Sequence, residues 1–131
     1  MEAATKQFRK RNAIYECLCN TTLHPSAEMV HEMLRSEHPD ISLATVYRNL
    51  THFKKQGLVV SVATVRGVER FDANTAPHVH FICDGCDAVI DLEQIQVPVA
   101  LSAAVEKSSR CQVGGCTLTF TGLCESCKAT Q

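Results

Sequence analysis

Aromatic residues are scarce in this chain, 5% of 131 residues with no tryptophan. Hydrophobic residues make up 45% of it, ample for a globular interior. Even so, neither half of so short a chain buries a large core alone. Metal binding or dimerisation is therefore expected to supplement the stability of the C-terminal part. No stretch approaches the roughly 18 apolar residues of a membrane helix, and Met1 to Gln7 lacks the apolar core of a signal peptide. These absences argue against a membrane protein and for a cytoplasmic one. There is no internal repeat and no low-complexity tract.

Net charge is nearly absent too, at −1, which by itself argues for no polyanionic partner. Its distribution is less even. Residues 1–70 carry ten Lys/Arg against seven Asp/Glu, a net +3, and residues 71–131 carry three against seven, a net −4. A nucleic-acid-facing half followed by an acidic, metal-binding half fits this asymmetry, and so does a chance scatter of surface charge.

Cysteine, by contrast, is plentiful, with eight residues. In a reducing compartment these are expected to be metal ligands and not disulfides. Cys83-x-x-Cys86 and Cys124-x-x-Cys127 can each clip two sulfurs onto one tetrahedral Zn²⁺, with Zn–S near ~2.3 Å. A site closed by four thiolates is structural. A thioredoxin-like dithiol would need a βαβ context, which is absent. Cys17, Cys19, Cys111 and Cys116 are expected to be small buried hydrophobes, with Cys116 also a candidate accessory metal or redox residue. Harder ligands lie near the first pair: Asp72, His78, His80 and Asp91. Alternation along a strand puts His78 and His80 on one face. Two imidazoles with carboxylates and no sulfur suit Fe²⁺, Mn²⁺ or Zn²⁺. Taken alone, the H-x-H pair reads equally well as a surface histidine pair.

Periodicity predicts a helix over Lys6 to Leu18. A second helix is capped by Ser26, with Met29, Val30, Met33 and Leu34 inward, and ends near His38-Pro39. Ser42 caps a third, with Val46, Leu50 and Phe53 inward and Thr45, Arg48, Asn49 and His52 outward; Gly57 stops it. Leu58 to Thr64 and Val68 to Asp72 read as strands turning at Arg66-Gly67. Three short helices and a hairpin make a winged helix-turn-helix. Thr45 and Arg48 then stand where a recognition helix places base and phosphate contacts, and Tyr47 where it would meet sugar or a thymine methyl. An ordinary solvated helix face would look the same. After a linker ending at Pro77, strands are expected at His80 to Cys83 and Ala88 to Leu92, a helix from Pro98 to about Ser109, and a strand at Thr117 to Thr121. The fold class is α+β, with a winged helix-turn-helix in residues 1–72, a hinge at 73–77 and a small metal-binding α/β domain at 78–131.

Ser42 to Leu50 (SLATVYRNL), Arg70-Phe71-Asp72, His78-x-His80-x-x-Cys83-x-x-Cys86 and Cys124-x-x-Cys127 together resemble the Fur family of bacterial metal-dependent repressors. The resemblance covers nearly the whole chain. It implies a homodimer that binds a double-stranded DNA operator, with residues 78–131 as dimerisation domain and Asn49 beside Thr45, Tyr47 and Arg48 at the DNA. It also implies that His24, in His24-Pro25-Ser26-Ala27, joins the regulatory metal site. Asp at both position 72 and position 91 is similar to the peroxide-sensing, PerR-type branch. A regulatory Fe²⁺ or Mn²⁺ site of His24, Asp72, His78, His80 and Asp91 follows, in which His24 and His78 are the oxidation-sensitive ligands. The alternative is an iron- or manganese-responsive repressor without peroxide chemistry. The extra H-H-D-H site of iron sensors is reduced here to Pro77-His78-Val79-His80. The family's T-x-Q-R pattern is replaced by Phe8-Arg9-Lys10-Arg11, and the first DNA-touching helix is expected to be reduced. A His/carboxylate iron site also suits a non-haem oxygenase, but no cosubstrate motif accompanies it, so no enzymatic activity is expected.

Overall fold

The computed structural model describes residues 2–76 and 78–130. Pro77 of the expected hinge and the chain ends at 1 and 131 lie outside the described residues. The chain divides into two compact units, Met1–Thr75 and Ala76–Gln131.

The first unit runs α1 (Glu2–Cys19), α2 (Ala27–Leu34), α3 (Leu43–Gln56), β1 (Val60–Val65) and β2 (Val68–Asp72). Ile14 and Leu18 of α1, Val30 of α2, and Val46, Leu50 and Phe53 of α3 close on one another, with Val59 and Phe71 added below. Each such burial is worth about 1.5–3 kcal/mol before chain entropy is charged against it. The Ser26 and Ser42 hydroxyls accept from the amides of Met29 and Thr45, both at 3.2 Å, and so satisfy one orphan N–H at the start of α2 and of α3. Gly57 ends α3 in the left-handed region. The turn joining β1 to β2 has φ of 51° at Arg66 and 80° at Gly67, the two positive values a tight hairpin requires.

Three expectations need correction here. α2 stops at Leu34. The His38 amide bonds back to the Leu34 carbonyl at 2.8 Å and the Ile41 amide to the His38 carbonyl at 3.1 Å, so a turn replaces the last helical residues and delivers the chain to the Ser42 cap. Met33 is consequently exposed. β1 begins at Val60 because the Leu58 amide still closes the end of α3 on the Phe53 carbonyl, at 3.0 Å. Cys17 is half-buried and Cys19 exposed, since the buried stripe of α1 is Ala13, Ile14 and Leu18.

The second unit runs β3 (Val79–Cys83), β4 (Val89–Leu92), α4 (Val99–Ser109), β5 (Thr119–Gly122) and α5 (Glu125–Ala129). Its sheet has the order β4-β3-β5. β3 and β4 form an antiparallel pair. β5 returns parallel to β3 after the α4 crossover, in the register His80–Thr119 to Cys83–Gly122. α5 was not expected. The apolar interior is small: Val79, Cys83 and Val89 are the buried hydrophobic residues among those described in this unit, and α4 has none. Cys111 and Cys116 are exposed, against expectation. They lie in residues 110–118, which contain neither helix nor strand and so offer no packed face to bury a small side chain.

Candidate metal centres and nucleic-acid interface

The hairpin turn after β3 and the start of α5 bring four cysteines together. One sulfur from each of Cys83, Cys86, Cys124 and Cys127 lies within 4.8 Å of all the others. Tetrahedral Zn²⁺ at ~2.3 Å from each sulfur sets sulfurs about 3.8 Å apart, and the Cys86 and Cys124 sulfurs stand 3.8 Å apart. Three backbone amides aim at the buried Cys83 sulfur: Gly85 at 3.3 Å, and Cys86 and Cys124 at 3.4 Å. Led by the Cys124 amide, they pull the Cys83 thiol down to about 6. Its charge, received through a thiol hydrogen bond, pushes Cys127 up to about 12. Zn²⁺ bound there would hold all four sulfurs as thiolates.

Position 85 must be glycine for a steric reason that the spacing of the cysteines does not reveal. A Cβ there would meet the Cys127 sulfur at 2.9 Å. Gly85→Ala is expected to push Cys127 off the tetrahedron and weaken zinc retention at least tenfold. Competition with a chromophoric chelator measures this, and unchanged retention would show that the turn has room to give.

The harder ligands form a group in each unit. In the first, His24 Nε2 stands 3.1 Å from Asp72 Oδ2. His24 is 2% exposed and has a φ of 52°, a left-handed backbone that costs a non-glycine residue about 1–2 kcal/mol. β2 holds it there through successive residues. The Arg70 guanidinium donates to the His24 carbonyl and, at 2.8 Å, to the Leu23 carbonyl. The Phe71 amide donates to the Pro25 carbonyl at 3.0 Å. The Asp72 carboxylate faces the ring and also accepts from the Asn74 amide at 2.8 Å. Sequence reasoning missed Arg70, because a lone arginine on a strand looks like a surface residue; here it is buried.

In the second unit His80 of β3 pairs across the sheet with Asp91 of β4. Asp91 Oδ1 lies 3.2 Å from His80 Nε2 and 2.8 Å from His78 Nε2. His78 sits just before β3, and its ring centroid lies 4.2 Å from that of His80, the two planes tilted by 54°. His78 Nδ1 is 2.6 Å from the Ala76 carbonyl, which accepts only, so this nitrogen carries the proton. In the neutral ring Nε2 is then a lone pair aimed at a carboxylate lone pair. Such a contact is repulsive unless a proton or a cation lies between the two atoms. Two imidazole nitrogens converging on one carboxylate, one ring fixed by a backbone carbonyl, are a divalent-metal arrangement.

The outward residues of α3 line a groove of about 450 Å³ with α1: Thr45, Arg48, Asn49 and His52 on one side, Gln7, Lys10 and Arg11 on the other. The Asn49 amide donates to the Thr45 carbonyl at 2.9 Å and accepts from Arg11 at 3.3 Å. Arg48 donates to the Thr45 hydroxyl at 3.0 Å. Tyr47 is exposed at 46%, and its hydroxyl donates to Glu28. That contact holds the Glu28 carboxyl below its ordinary range and raises the Tyr47 hydroxyl above its own. Gln7 was not singled out from the sequence; Lys10 and Arg11 were noted there only within the basic run Arg9-Lys10-Arg11, without a DNA-contact role.

A helical unit with a basic groove, and a sheet unit with a thiol cluster and a His/Asp group, match the architecture of a metal-responsive transcription regulator. The chain belongs to the ferric uptake regulator family, whose family model matches residues 2–121. The peroxide operon regulator of Bacillus subtilis (strain 168) is 32% identical over 131 residues, covering 96% of this chain and 86% of that protein. The peroxide-responsive repressor PerR of Staphylococcus aureus (strain USA300) is 29% identical over 127 residues, covering 97% and 85%. The crystal structure of the Campylobacter jejuni peroxide stress regulator superposes with a TM-score of 0.78 at 26% identity, covering 96% of this chain and 94% of that one. Among the described residues no helix is long and apolar enough to cross a membrane.

Proposed function

We propose that this protein is a cytoplasmic, homodimeric, peroxide-sensing repressor. Zn²⁺ on Cys83, Cys86, Cys124 and Cys127 stabilises the dimerisation domain. Fe²⁺ or Mn²⁺ shared by His24, Asp72, His78, His80 and Asp91 regulates DNA binding. The observation that carries the regulatory site is Asp91 Oδ1 within 3.2 Å of two imidazole nitrogens, an arrangement that calls for a cation. The likeness to peroxide regulators of two organisms supports the signal. Exposed Val99, Leu101 and Val105 on α4, a helix with no buried residue, support a partner subunit.

Residues 1–72 act as a winged helix-turn-helix, with α3 in the major groove. Lys10, Arg11 and Arg48 neutralise phosphates, Thr45 and Tyr47 reach base edges and sugar, and Asn49 locks Arg11 to α3. Ligation by His24 and Asp72 from one unit and by His78, His80 and Asp91 from the other, across a hinge at 73–77, fixes the spacing of the two recognition helices of the dimer. Metal affinity and operator affinity are then coupled, by roughly 1–3 kcal/mol in proteins of this behaviour. Fe²⁺ held there would supply the reduction of peroxide beside its own ligands. One peroxide oxygen would be inserted into the ring of His24 or of His78, the other would leave as water, and a ring so modified would no longer ligate.

A gel shift with Mn²⁺- and Fe²⁺-loaded protein, before and after peroxide, tests this reading. Release of DNA by the Fe²⁺ form alone, with one oxygen gained on the His24 or the His78 peptide, is expected. Release by chelator but not by peroxide would leave an iron- or manganese-responsive repressor.

A further inference from the structure

Four of the eight cysteines form the closed cluster, and two more, Cys17 and Cys19, stand two apart on α1. A helix turns through about 200° over two residues, so those two sulfurs point away from each other and cannot bridge. Burial also pushes the Cys17 thiol up, toward its unreactive protonated form. Cys111 and Cys116 remain. Both are exposed, and both lie on the irregular segment 110–118 between α4 and β5.

We propose that Cys111 and Cys116 form a dithiol that peroxide converts reversibly to a disulfide, independently of the regulatory metal. The intervening chain is Gln112-Val113-Gly114-Gly115. A Cβ built on either glycine would meet no heavy atom within 4 Å, so the two glycines have room to move, while the exposed hydrogen bond from the Val113 amide to the Glu106 carboxylate, at 3.1 Å, is what closing the loop has to accommodate. A disulfide needs Cα atoms about 4.4–6.8 Å apart, and two adjacent glycines give a short chain the freedom to reach that. Closure entropy grows with loop length, and only four residues separate these two cysteines. Among the described residues, the interactions of Cys111 are local, its thiol reaching the Ser109 carbonyl at 3.8 Å. That weak contact costs little to give up.

The chemistry balances with peroxide as oxidant. One thiolate attacks a peroxide oxygen and breaks the O–O bond, giving a sulfenic acid and, after protonation, water. The second thiolate attacks that sulfur, the S–S bond forms and a second water leaves. Two thiols and one peroxide thus yield one disulfide and two waters. A small-molecule thiol reverses the step by exchange. The segment feeds directly into β5, whose partner strand β3 carries His80 and Cys83. Oxidation therefore tethers the connection leading into β5, the edge strand that pairs with β3 and runs on toward Cys124.

The test uses the full chain loaded with Zn²⁺ and Mn²⁺, so that histidine oxidation does not run. After brief treatment with equimolar hydrogen peroxide and alkylation, chymotryptic peptides are weighed. The peptide containing Cys111 and Cys116 is expected to be two hydrogens lighter and unalkylated, and dithiothreitol should restore its alkylation. Cys116→Ser should instead leave a sulfenic acid on Cys111 that a dione reagent traps. His24→Ala, which removes a proposed regulatory ligand, should form the disulfide as readily as the native chain. Full alkylation of both thiols after peroxide would overturn the proposal, as would loss of the disulfide in His24→Ala or oxidation of the cluster cysteines first. None of these results bears on whether the Fe²⁺ form oxidises its histidines.

Discussion

Cys124→Ser is expected to release the zinc and unfold residues 76–131 while residues 2–75 stay folded. The two units differ in what holds them. The first buries eleven hydrophobic residues in one cluster. The second buries Val79, Cys83 and Val89, far too little apolar area to offset the ordering of its chain. Structural Zn²⁺ supplies on the order of 10–16 kcal/mol in small thiolate domains. The cluster is also where the far ends of the unit meet, since Cys83 and Cys86 flank the β3–β4 turn and Cys124 caps α5. Serine at 124 keeps the size of the side chain but not a thiolate, so the loss is of ligation and not of packing. Circular dichroism melts should show one surviving transition, metal analysis the lost zinc, and sedimentation the lost dimer. The same outcome is expected from a strong chelator at low pH, where protons compete with the metal for the thiolates. A variant that keeps two cooperative transitions without zinc would show that the sheet unit stands on its own packing.

Much of this architecture was legible because it depends on local chemistry. Ser26 and Ser42 read as caps because a hydroxyl before an apolar helical stripe has one good use, and Gly57 and Arg66-Gly67 read as a stop and a turn because each needs positive φ. The paired cysteines and Asp72, His78, His80 and Asp91 stood out because so few side chains ligate metals, whereas His24 entered only through the family resemblance. What escaped depends on distant parts of the chain. α5 is five residues long with no apolar periodicity, and it sits against the knuckle of Cys83 and Cys86. The early end of α2 follows from a turn that serves α3. The Met33 position kept helical spacing but met no partner. Gly85 and Arg70 are ordinary residues in sequence; one is fixed by the approach of the Cys127 sulfur, the other by two carbonyls 46 and 47 residues away.

Arg70→Met is expected to lower Mn²⁺ affinity ten- to a hundredfold while leaving the zinc in place. Methionine fills nearly the same volume with no donor, so the buried carbonyl of His24 and the part-buried one of Leu23 lose this partner. Hydrogen bonds from a charged donor contribute about 1.5–3 kcal/mol, comparable to what holds His24 in its left-handed backbone. Once that support goes, the loop relaxes toward ordinary φ and the His24 ring turns away from Asp72. Arg70→Lys keeps the charge but offers a point donor in place of a fork; it can serve one carbonyl and should recover part of the affinity. A general packing defect would lower the melting temperature of the first unit in both variants by similar amounts and leave Mn²⁺ affinity tracking stability. Positioning predicts the opposite split. Affinity falls more than stability does, lysine rescues it, and the visible spectrum of a Co²⁺ probe loses one nitrogen ligand in Arg70→Met as it does in His24→Ala. Unchanged Mn²⁺ binding in Arg70→Met would mean that the Pro25–Phe71 backbone bond alone fixes the ring.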